Sequence, residues 1–238
     1  RNEGMSNEHL QDYTQMEFYW AYADFKMGID FCKEMYRKVT KAVMGSSKFT
    51  SRGFEIDMDS EWKIYDFETI IEEKMGINIF KATEKDIIYK LKEIGIEFDE
   101  NIGYWRLVDV LWKAVRKDLA GPGFLVGQPV QLNPLPKRLD DDPRKVAQMQ
   151  IILAGSEMGN GYTELNNPLD LEERFKEQRE MSEAGDTEAH EHDETFIEAL
   201  RYGMPPAFGF GVSERLFSVM MDRPIRECVF FPLMKPRS

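Results

Sequence analysis

Three polar side chains, Asn160, Tyr162 and Glu164, alternate with other residues between 159 and 165. Successive side chains of a β-strand point to opposite faces, so this amide, phenol and carboxylate would share one face. Such a face most often meets solvent. Here, however, residues 149–155 read as a buried strand, and a second carboxylate, Glu157, follows them. Two carboxylates beside a buried strand indicate a site for a cation or an ammonium group, because a buried charge needs a partner.

Two arginines, Arg1 and Arg215, could bring positive charge to such a site. A guanidinium is a fixed, permanently charged fork that suits phosphate and carboxylate groups. Taken singly, each arginine is more often the partner of a surface ion pair. Both interpretations stay open from the residues alone.

The elements that must position these residues follow from hydrophobic spacing. Apolar residues recur at helical spacing from Ile29 to Val43, and Gly45 ends that helix. A capping pattern at Thr83 and Asp86 opens another. The predicted helices are a long one ending at Gly45 and those at 67–75, 83–94, 105–119, 168–184 (a charged surface helix) and 196–202. The predicted strands are 13–23, a 48–65 hairpin with its tip near Asp57, 124–126, 149–155, 160–165, and a strand–helix–strand unit at 208–231.

Strands in runs with helices grouped between them predict an α+β fold, an antiparallel β-sheet flanked by helices. The chain has 238 residues, of which 42% are hydrophobic and 31% charged, as expected for a globular protein of one large or two small domains. No apolar run is long enough for a membrane span. The net charge of −12 argues against nucleic-acid binding by this chain alone. Cys32 and Cys228 lie far apart in apolar surroundings, which favours buried free thiols and a reducing cytoplasm.

Several segments together resemble the catalytic domain of class II lysyl-tRNA synthetases. The start Arg1-Asn2-Glu3-Gly4, with His9 and residues 16–19, resembles the second class II motif, and residues 213–216 resemble the third. Residues 159–170, 196–206 and 228–236 resemble the lysyl-type segments. The resemblance covers nearly the whole chain. It implies a partial catalytic domain over 1–238, a first motif upstream of Arg1, and no anticodon-binding domain in this chain.

The resemblance implies an ATP site. Arg1 would hold the α-phosphate and the amino-acid carboxylate, and Arg215 would meet the γ-phosphate. Glu3 would receive the adenine amino group, Tyr13 would stack on the ring, and His9 would lie by the phosphates; an exposed loop histidine is the alternative for His9. Gly209 and Gly211 lie one residue away from their usual spacing to the motif arginine in the family, here Arg215. A shift of one residue reverses the face to which a strand side chain points. We therefore expect a bulge between Gly211 and Glu214 that restores the direction of Arg215 and turns Glu214 towards the sheet or the adjoining helix.

The resemblance also implies a lysine pocket and a metal site. Glu164 and Tyr19 would meet the ε-ammonium, Asn160 would steady the substrate carboxylate, and Tyr162 would form a wall; Glu17 belongs to the same pocket. Glu157 matches one of two acidic Mg²⁺ ligands. The other is Gln150 here, whose amide oxygen can ligate Mg²⁺ but brings no charge.

The implied activity is that of a lysine–tRNA ligase. It would activate L-lysine with ATP to lysyl-adenylate and transfer lysine to tRNA(Lys), in the cytoplasm, as a homodimer in the intact protein and without a membrane. Two alternatives remain: a synthetase-like paralogue that attaches lysine to a protein, and a non-catalytic domain that senses lysine or ATP.

Overall fold

The structure is a computed structural model that describes residues 9–99, 102–183 and 193–231. The N-terminal half contains β1 (Glu17–Ala21), α1 (Phe25–Met44), β2 (Lys48–Ser51), β3 (Phe54–Asp57), β4 (Lys63–Asp66), α2 (Phe67–Met75), α3 (Glu84–Glu93) and α4 (Tyr104–Arg116). The C-terminal half contains β5 (Gly123–Val126), β6 (Gln148–Leu153), β7 (Ser156–Thr163), α5 (Pro168–Glu183), α6 (Glu194–Tyr202), β8 (Ala207–Val212), α7 (Arg215–Met220) and a 3₁₀-helix (Ile225–Cys228). No helix in these ranges is long and apolar enough to cross a membrane.

Six strands form one sheet in the order β1-β8-β7-β6-β5-β4. All neighbours pair antiparallel except β4 and β5, which pair in parallel. Strands β2 and β3 form a separate hairpin. The predicted α+β class is confirmed, with one parallel pair added to an otherwise antiparallel sheet.

The two faces of the sheet pack differently. On one face, Ile151, Phe208 and Phe210 belong to a buried cluster with Cys32 and Tyr36 of α1. We call this the α1 face. On the opposite face, Leu125 and Ile152 join a second buried cluster built from α2, α3 and α4. These helices lie over the β5–β6 side of that face, and its β7–β8–β1 side is lined by polar residues instead. We call it the cleft face.

Helix capping follows the signals predicted at Gly45 and at Thr83 with Asp86, and Asp24 adds a cap that was not predicted. The Asp24 carboxylate accepts a hydrogen bond from the Met27 amide at the start of α1, and Gly45 ends the helix with a positive φ. Thr83 and Asp86 form the predicted capping box of α3. The helices predicted at 67–75, 83–94, 105–119 and 196–202 are confirmed to within a few residues at their ends.

The predictions for the tip of the 48–65 hairpin and for the last strand of the 208–231 unit were wrong. The tip of the hairpin is at Arg52 and Gly53, not near Asp57, because both take positive φ, the conformation of a two-residue hairpin turn; Asp57 ends β3. The final strand of the 208–231 unit is absent from the described residues, where a 3₁₀-helix follows Pro224, which has no N–H to donate to a sheet.

Helix α5 packs more closely than a charged surface helix would. Leu171 and Phe175 join Ile197 and Leu200 of α6 in a third buried cluster. Arg174 is 1% exposed, pairs with Asp170, and donates to the Pro134 and Pro136 carbonyls. This helix therefore fixes the 134–136 segment, and Pro136 forms a β-bridge with Glu164.

Candidate active site

A cleft of about 430 Å³ opens on the cleft face, over β7, β8 and β1. It brings together most of the predicted site residues: Tyr13, Glu17, Tyr19, Gln150, Glu157, Asn160, Tyr162, Glu164 and Arg215. His9 is half-buried and does not line the cleft. Arg1 and Glu3 lie outside the described residues.

Two glycines of β8 form the floor of this cleft. Gly209 lies between Tyr162 of β7 and Tyr19 of β1, and Gly211 lies between Asn160 and Glu17. A Cβ at Gly209 would collide with the Glu164 carboxylate and meet the Tyr19 ring. The bulky residues of β8, Phe208 and Phe210, belong to the buried cluster on the α1 face. The Gly-Phe alternation thus keeps one face of β8 clear and the other filled.

One end of the cleft is acidic. Burial raises the pKa of the Glu164 carboxyl to about 7. The pKa of Tyr162 is raised first by burial and then by the charges of Glu164, Tyr19 and Glu17. The pKa of Tyr19 is raised by the same causes, burial and then Glu164 and Glu17. Because these shifts arise from clustered negative groups and desolvation, a positively charged ligand would relieve them.

A β-bulge brings Glu157 to the cleft. The pairing of β6 with β7 shifts register between Ile151 and Ile152, which pair with Gly159 and Glu157. Met158 is the extra residue, buried on the α1 face, where the Tyr36 hydroxyl donates to its carbonyl. In a regular strand, Glu157 and Asn160 would lie on opposite faces, so the bulge is what brings both into one cleft.

Helix α4 holds the carboxylate of Glu157. The Trp112 indole Nε1 donates to Glu157 Oε1 at 2.8 Å, and the Arg116 guanidinium Nε lies 3.9 Å from the same oxygen. Arg116 also donates to the Gly155 carbonyl at 3.0 Å. One carboxylate oxygen is therefore anchored by the helix, which directs the carboxylate into the cleft.

Two amide pairs lie between the acidic end and Glu157. Gln128 Nε2 donates to Gln150 Oε1 at 3.1 Å, and Gln148 Nε2 donates to Asn160 Oδ1 at 2.7 Å. An engaged amide oxygen directs the NH₂ group of the same amide the other way. The second pair therefore turns the donor end of Asn160 away from Gln148.

Arg215 is oriented by a helix start. Strand β8 ends at Val212 with no register shift against either neighbour, so the bulge expected between Gly211 and Glu214 is not found. Arg215 is the first residue of α7, and the Ser213 hydroxyl accepts from its backbone N and its Nε, both at 3.2 Å. Glu214, expected to face the sheet or the adjoining helix, lines the cleft as well. The strand-to-helix turn sends both side chains to the cleft.

The family model described as tRNA synthetases class II (D, K and N) matches residues 1–235. The chain belongs to this family. Three similar relatives are each called lysine–tRNA ligase: those of Thermotoga sp. (strain RQ2), 39% identical over 240 residues, Chloroflexus aurantiacus, 39% over 242, and Staphylococcus saprophyticus, 37% over 241. Each match covers all of this chain and 47–49% of the relative. The chain spans about half the length of the curated relatives it matches.

The sequence analysis missed several residues that hydrogen-bond the side chains of this cleft. Gln148 lies two residues before Gln150 in β6, so the two side chains point to the same face of the strand. This alternation could have predicted that Gln148 lies near the cleft. Trp112 lies on the apolar side of the helix predicted at 105–119 and is 2% exposed, and its indole also donates to Glu157, a contact that helical spacing does not reveal. Gln128 carries no such local signal, because its contact with Gln150 depends on the fold.

The oxygen donors in the cleft fit Mg²⁺. Glu157 and Gln150 both line it and offer a carboxylate and an amide oxygen, the hard donors that this ion prefers. Among the described residues no three His, Cys, Asp or Glu side chains form a group that could hold a metal. A Mg²⁺ ion here would therefore take most of its remaining ligands from phosphate and water.

Proposed function

We propose that the protein containing this chain is a lysine–tRNA ligase. The observation that carries the proposal is the polarity of the cleft. Glu17, Tyr19 and Glu164 make one end acidic, whereas Arg215 brings positive charge to the same cleft. Such a cleft would fit two ligands together: an amino acid whose side chain ends in an ammonium group, and a nucleoside triphosphate.

Lysine would bind with its ε-ammonium at Glu164 and Tyr19, with Glu17 close by and Tyr162 as a wall. An ammonium removed from water needs a carboxylate partner, and Glu164 is the more buried of the two carboxylates. Asn160 would donate its NH₂ to the substrate carboxylate. Tyr13 would stack on the adenine ring. Arg1, Glu3 and His9 stay predicted members of the ATP site.

In the first half-reaction, an oxygen of the lysine carboxylate would attack the α-phosphorus of ATP. A carboxylate–phosphorus bond forms, the bond from the α-phosphorus to its bridging oxygen breaks, and pyrophosphate leaves. No general base is required, because the nucleophile is already ionised. Arg215, fixed at the start of α7, would offset charge on the γ-phosphate, as predicted for a preorganised cation.

The metal would be held by Glu157 and Gln150 together with the ATP phosphates, where it would neutralise phosphate charge. In the second half-reaction, a hydroxyl of the terminal adenosine of tRNA(Lys) would attack the carbonyl carbon of lysyl-adenylate. An ester bond would form, the bond from that carbon to the phosphate oxygen would break, and AMP would leave. We further propose a homodimer, on the family resemblance alone, and a cytoplasmic location, which the free thiols Cys32 and Cys228 favour.

The test is ATP–pyrophosphate exchange by the full-length protein with lysine, aspartate and asparagine, the three amino acids that the family name covers. Exchange that depends on lysine alone supports the proposal, because aspartate would bring an anion to an acidic pocket. Aspartate- or asparagine-dependent exchange would contradict it. Attachment of lysine to tRNA would distinguish a ligase from a paralogue that attaches lysine to a protein. Lysine binding without any exchange would favour the non-catalytic sensing domain.

A further inference from the structure

Gln148 lies beside the cleft without lining it. It begins β6 opposite Tyr162, two residues before Gln150, and its side chain points to the cleft face. It is 4% exposed, and its Nε2 donates to Asn160 Oδ1 at 2.7 Å. Its own Oε1 has no hydrogen-bond partner among the described residues. It also lines a neighbouring cavity of about 580 Å³, to which Gln128 contributes as well.

An amide has an acceptor end and a donor end, so two joined amides have two matched arrangements. In the observed one, Gln148 donates and Asn160 accepts, which leaves the Asn160 NH₂ for the cleft. In the inverse one, Asn160 would donate to Gln148 Oε1 and turn its own oxygen to the cleft. A carboxylate on the ligand fits the first arrangement and is repelled by the second.

We propose that Gln148 is a positioning residue that fixes the donor end of Asn160 towards the ligand, so that the cleft selects amino acids with a free carboxylate. The inference rests on the proposed function, in which Asn160 meets the lysine carboxylate. Gln148 acts only through Asn160 and touches no substrate. Its burial is what makes the arrangement persistent, since a buried amide has few other partners.

The test compares two ligands of the full-length protein by calorimetry. L-lysine carries the carboxylate, and 1,5-diaminopentane keeps both amines but lacks it. The isosteric change Gln148→Glu leaves only acceptors once the new carboxyl is ionised, and in that state Asn160 must invert and present its oxygen. We expect a loss of lysine affinity of about 10- to 100-fold, typical of a hydrogen bond to a charged group, and no loss for 1,5-diaminopentane.

Gln131→Glu is the matched control, because Gln131 is a half-buried glutamine with an unpartnered Oε1 among the described residues and does not line the cleft. It should leave both affinities unchanged. An equal loss for both ligands in Gln148→Glu, or the same loss in Gln131→Glu, would overturn the inference. If Gln148→Glu does not fold, Gln148→Met removes the donor without a charge and should still weaken lysine selectively; an unchanged lysine affinity there would overturn the inference too.

Asn160→Ala separates the two levels of the argument. If it leaves lysine affinity unchanged, the proposed role of Asn160 fails and the inference fails with it. If it weakens lysine binding but Gln148→Glu does not, the inference alone fails. Adding Gln148→Glu to Asn160→Ala should cause no further loss, because Gln148 acts through Asn160; additive losses would contradict that route.

Discussion

The two carboxylates at the acidic end of the cleft lie in different surroundings. Glu17, on the edge strand β1, is exposed, whereas Glu164 is half-buried and has a pKa of about 7. A buried carboxylate gains more from an ammonium than an exposed one, because water competes less for it. At the residue scale, selection of lysine should therefore rest mainly on Glu164.

Removing that charge gives the first prediction. Glu164→Gln keeps the shape of the side chain but leaves the ε-ammonium without its main partner. We expect the lysine KM in ATP–pyrophosphate exchange to rise about 10- to 100-fold, the range for a lost hydrogen bond to a charged group, with the ATP KM close to that of the wild type. Glu17→Gln is the matched control and should raise the lysine KM less. A lysine KM unaffected by Glu164→Gln would remove Glu164 from the pocket.

The raised pKa of Glu164 predicts two linked pH effects. The pKa of this carboxyl in the folded state is about 7, above the usual 4.5. The folded state therefore holds the proton more tightly than the unfolded state, and the carboxyl stabilises the fold fully below pH 4.5. This stabilisation is lost as the pH rises through 7. Lysine binding needs the ionised carboxylate, so lysine affinity should fall as the pH drops below 7. Calorimetry in buffers of different ionisation enthalpy should detect proton release on lysine binding near pH 7. Release that persists in Glu164→Gln would assign the proton to another group.

The third prediction concerns Gln150 as a ligand of the proposed Mg²⁺ ion. Its Oε1 already accepts from Gln128, and it adds no negative charge to that of Glu157. Gln150→Glu would keep the acceptor and add a charge, so Mg²⁺ should be held more tightly. We expect the exchange reaction to saturate at lower Mg²⁺, and Mn²⁺ binding measured by electron paramagnetic resonance to tighten. Curves that coincide with those of the wild type in both assays would argue against Gln150 at the metal.

At the scale of elements, the site depends on how closely α1 approaches the sheet. Gly28 is buried on α1, and a Cβ there would lie inside the van der Waals distance of the Phe208 ring. Glycine lowers the stability of an isolated helix by about 1 kcal/mol relative to alanine. The close contact with Phe208 must outweigh that cost, so at this position packing decides the residue type.

Gly28→Ala should therefore destabilise the fold despite the better helix propensity. Overpacking of a tight core typically costs about 1–3 kcal/mol, and we expect the free energy of unfolding in urea to fall by that amount. The kinetic constants for lysine and ATP should change little, because α1 lies on the face opposite the cleft. Lys38→Ala, at an exposed position of the same helix, is the control and should leave stability nearly unchanged. A stabilised Gly28→Ala variant would mean that α1 can move away from Phe208 at no cost.

Much of this architecture could be predicted where the signal is local. The alternation of side chains along a strand predicted that Asn160, Tyr162 and Glu164 share one face, and all three line the cleft. Gly45 predicted the end of α1. The bulge at Met158 could not be read that way, because it is held by Tyr36, 122 residues earlier in the chain. Regular alternation would have put Glu157 on the face opposite Asn160. The sequence indicated that Glu157 lies near this site, from its place beside a buried strand and from the family resemblance, but it did not reveal the bulge that brings the side chain there. Long-range contacts decide such details, and one sequence does not reveal them.

At the scale of the whole molecule, a single sheet joins two buried clusters. Neighbouring residues of β6 face opposite ways: Ile151 packs in the α1 cluster and Ile152 in the α2–α4 cluster. The cleft lies beside the second cluster and is tied to it through Trp112. Loss of either cluster exposes one face of the strands that carry the site, so we expect the two clusters to unfold together.

Leu111→Ala tests this coupling. Leu111 is fully buried in the α2–α4 cluster, and such a truncation typically costs about 2–5 kcal/mol. If the clusters unfold as one unit, amide hydrogen exchange should accelerate by the same factor in α4 and in α1, although α1 lies across the sheet from the substitution. Cys32→Ala, which truncates the other cluster, should have the reciprocal effect on α4. Acceleration confined to α2–α4 would instead mean that the helices over β5 and β6 open separately, and then the anchoring of Glu157 by Trp112 could be lost while the rest of the cleft persists.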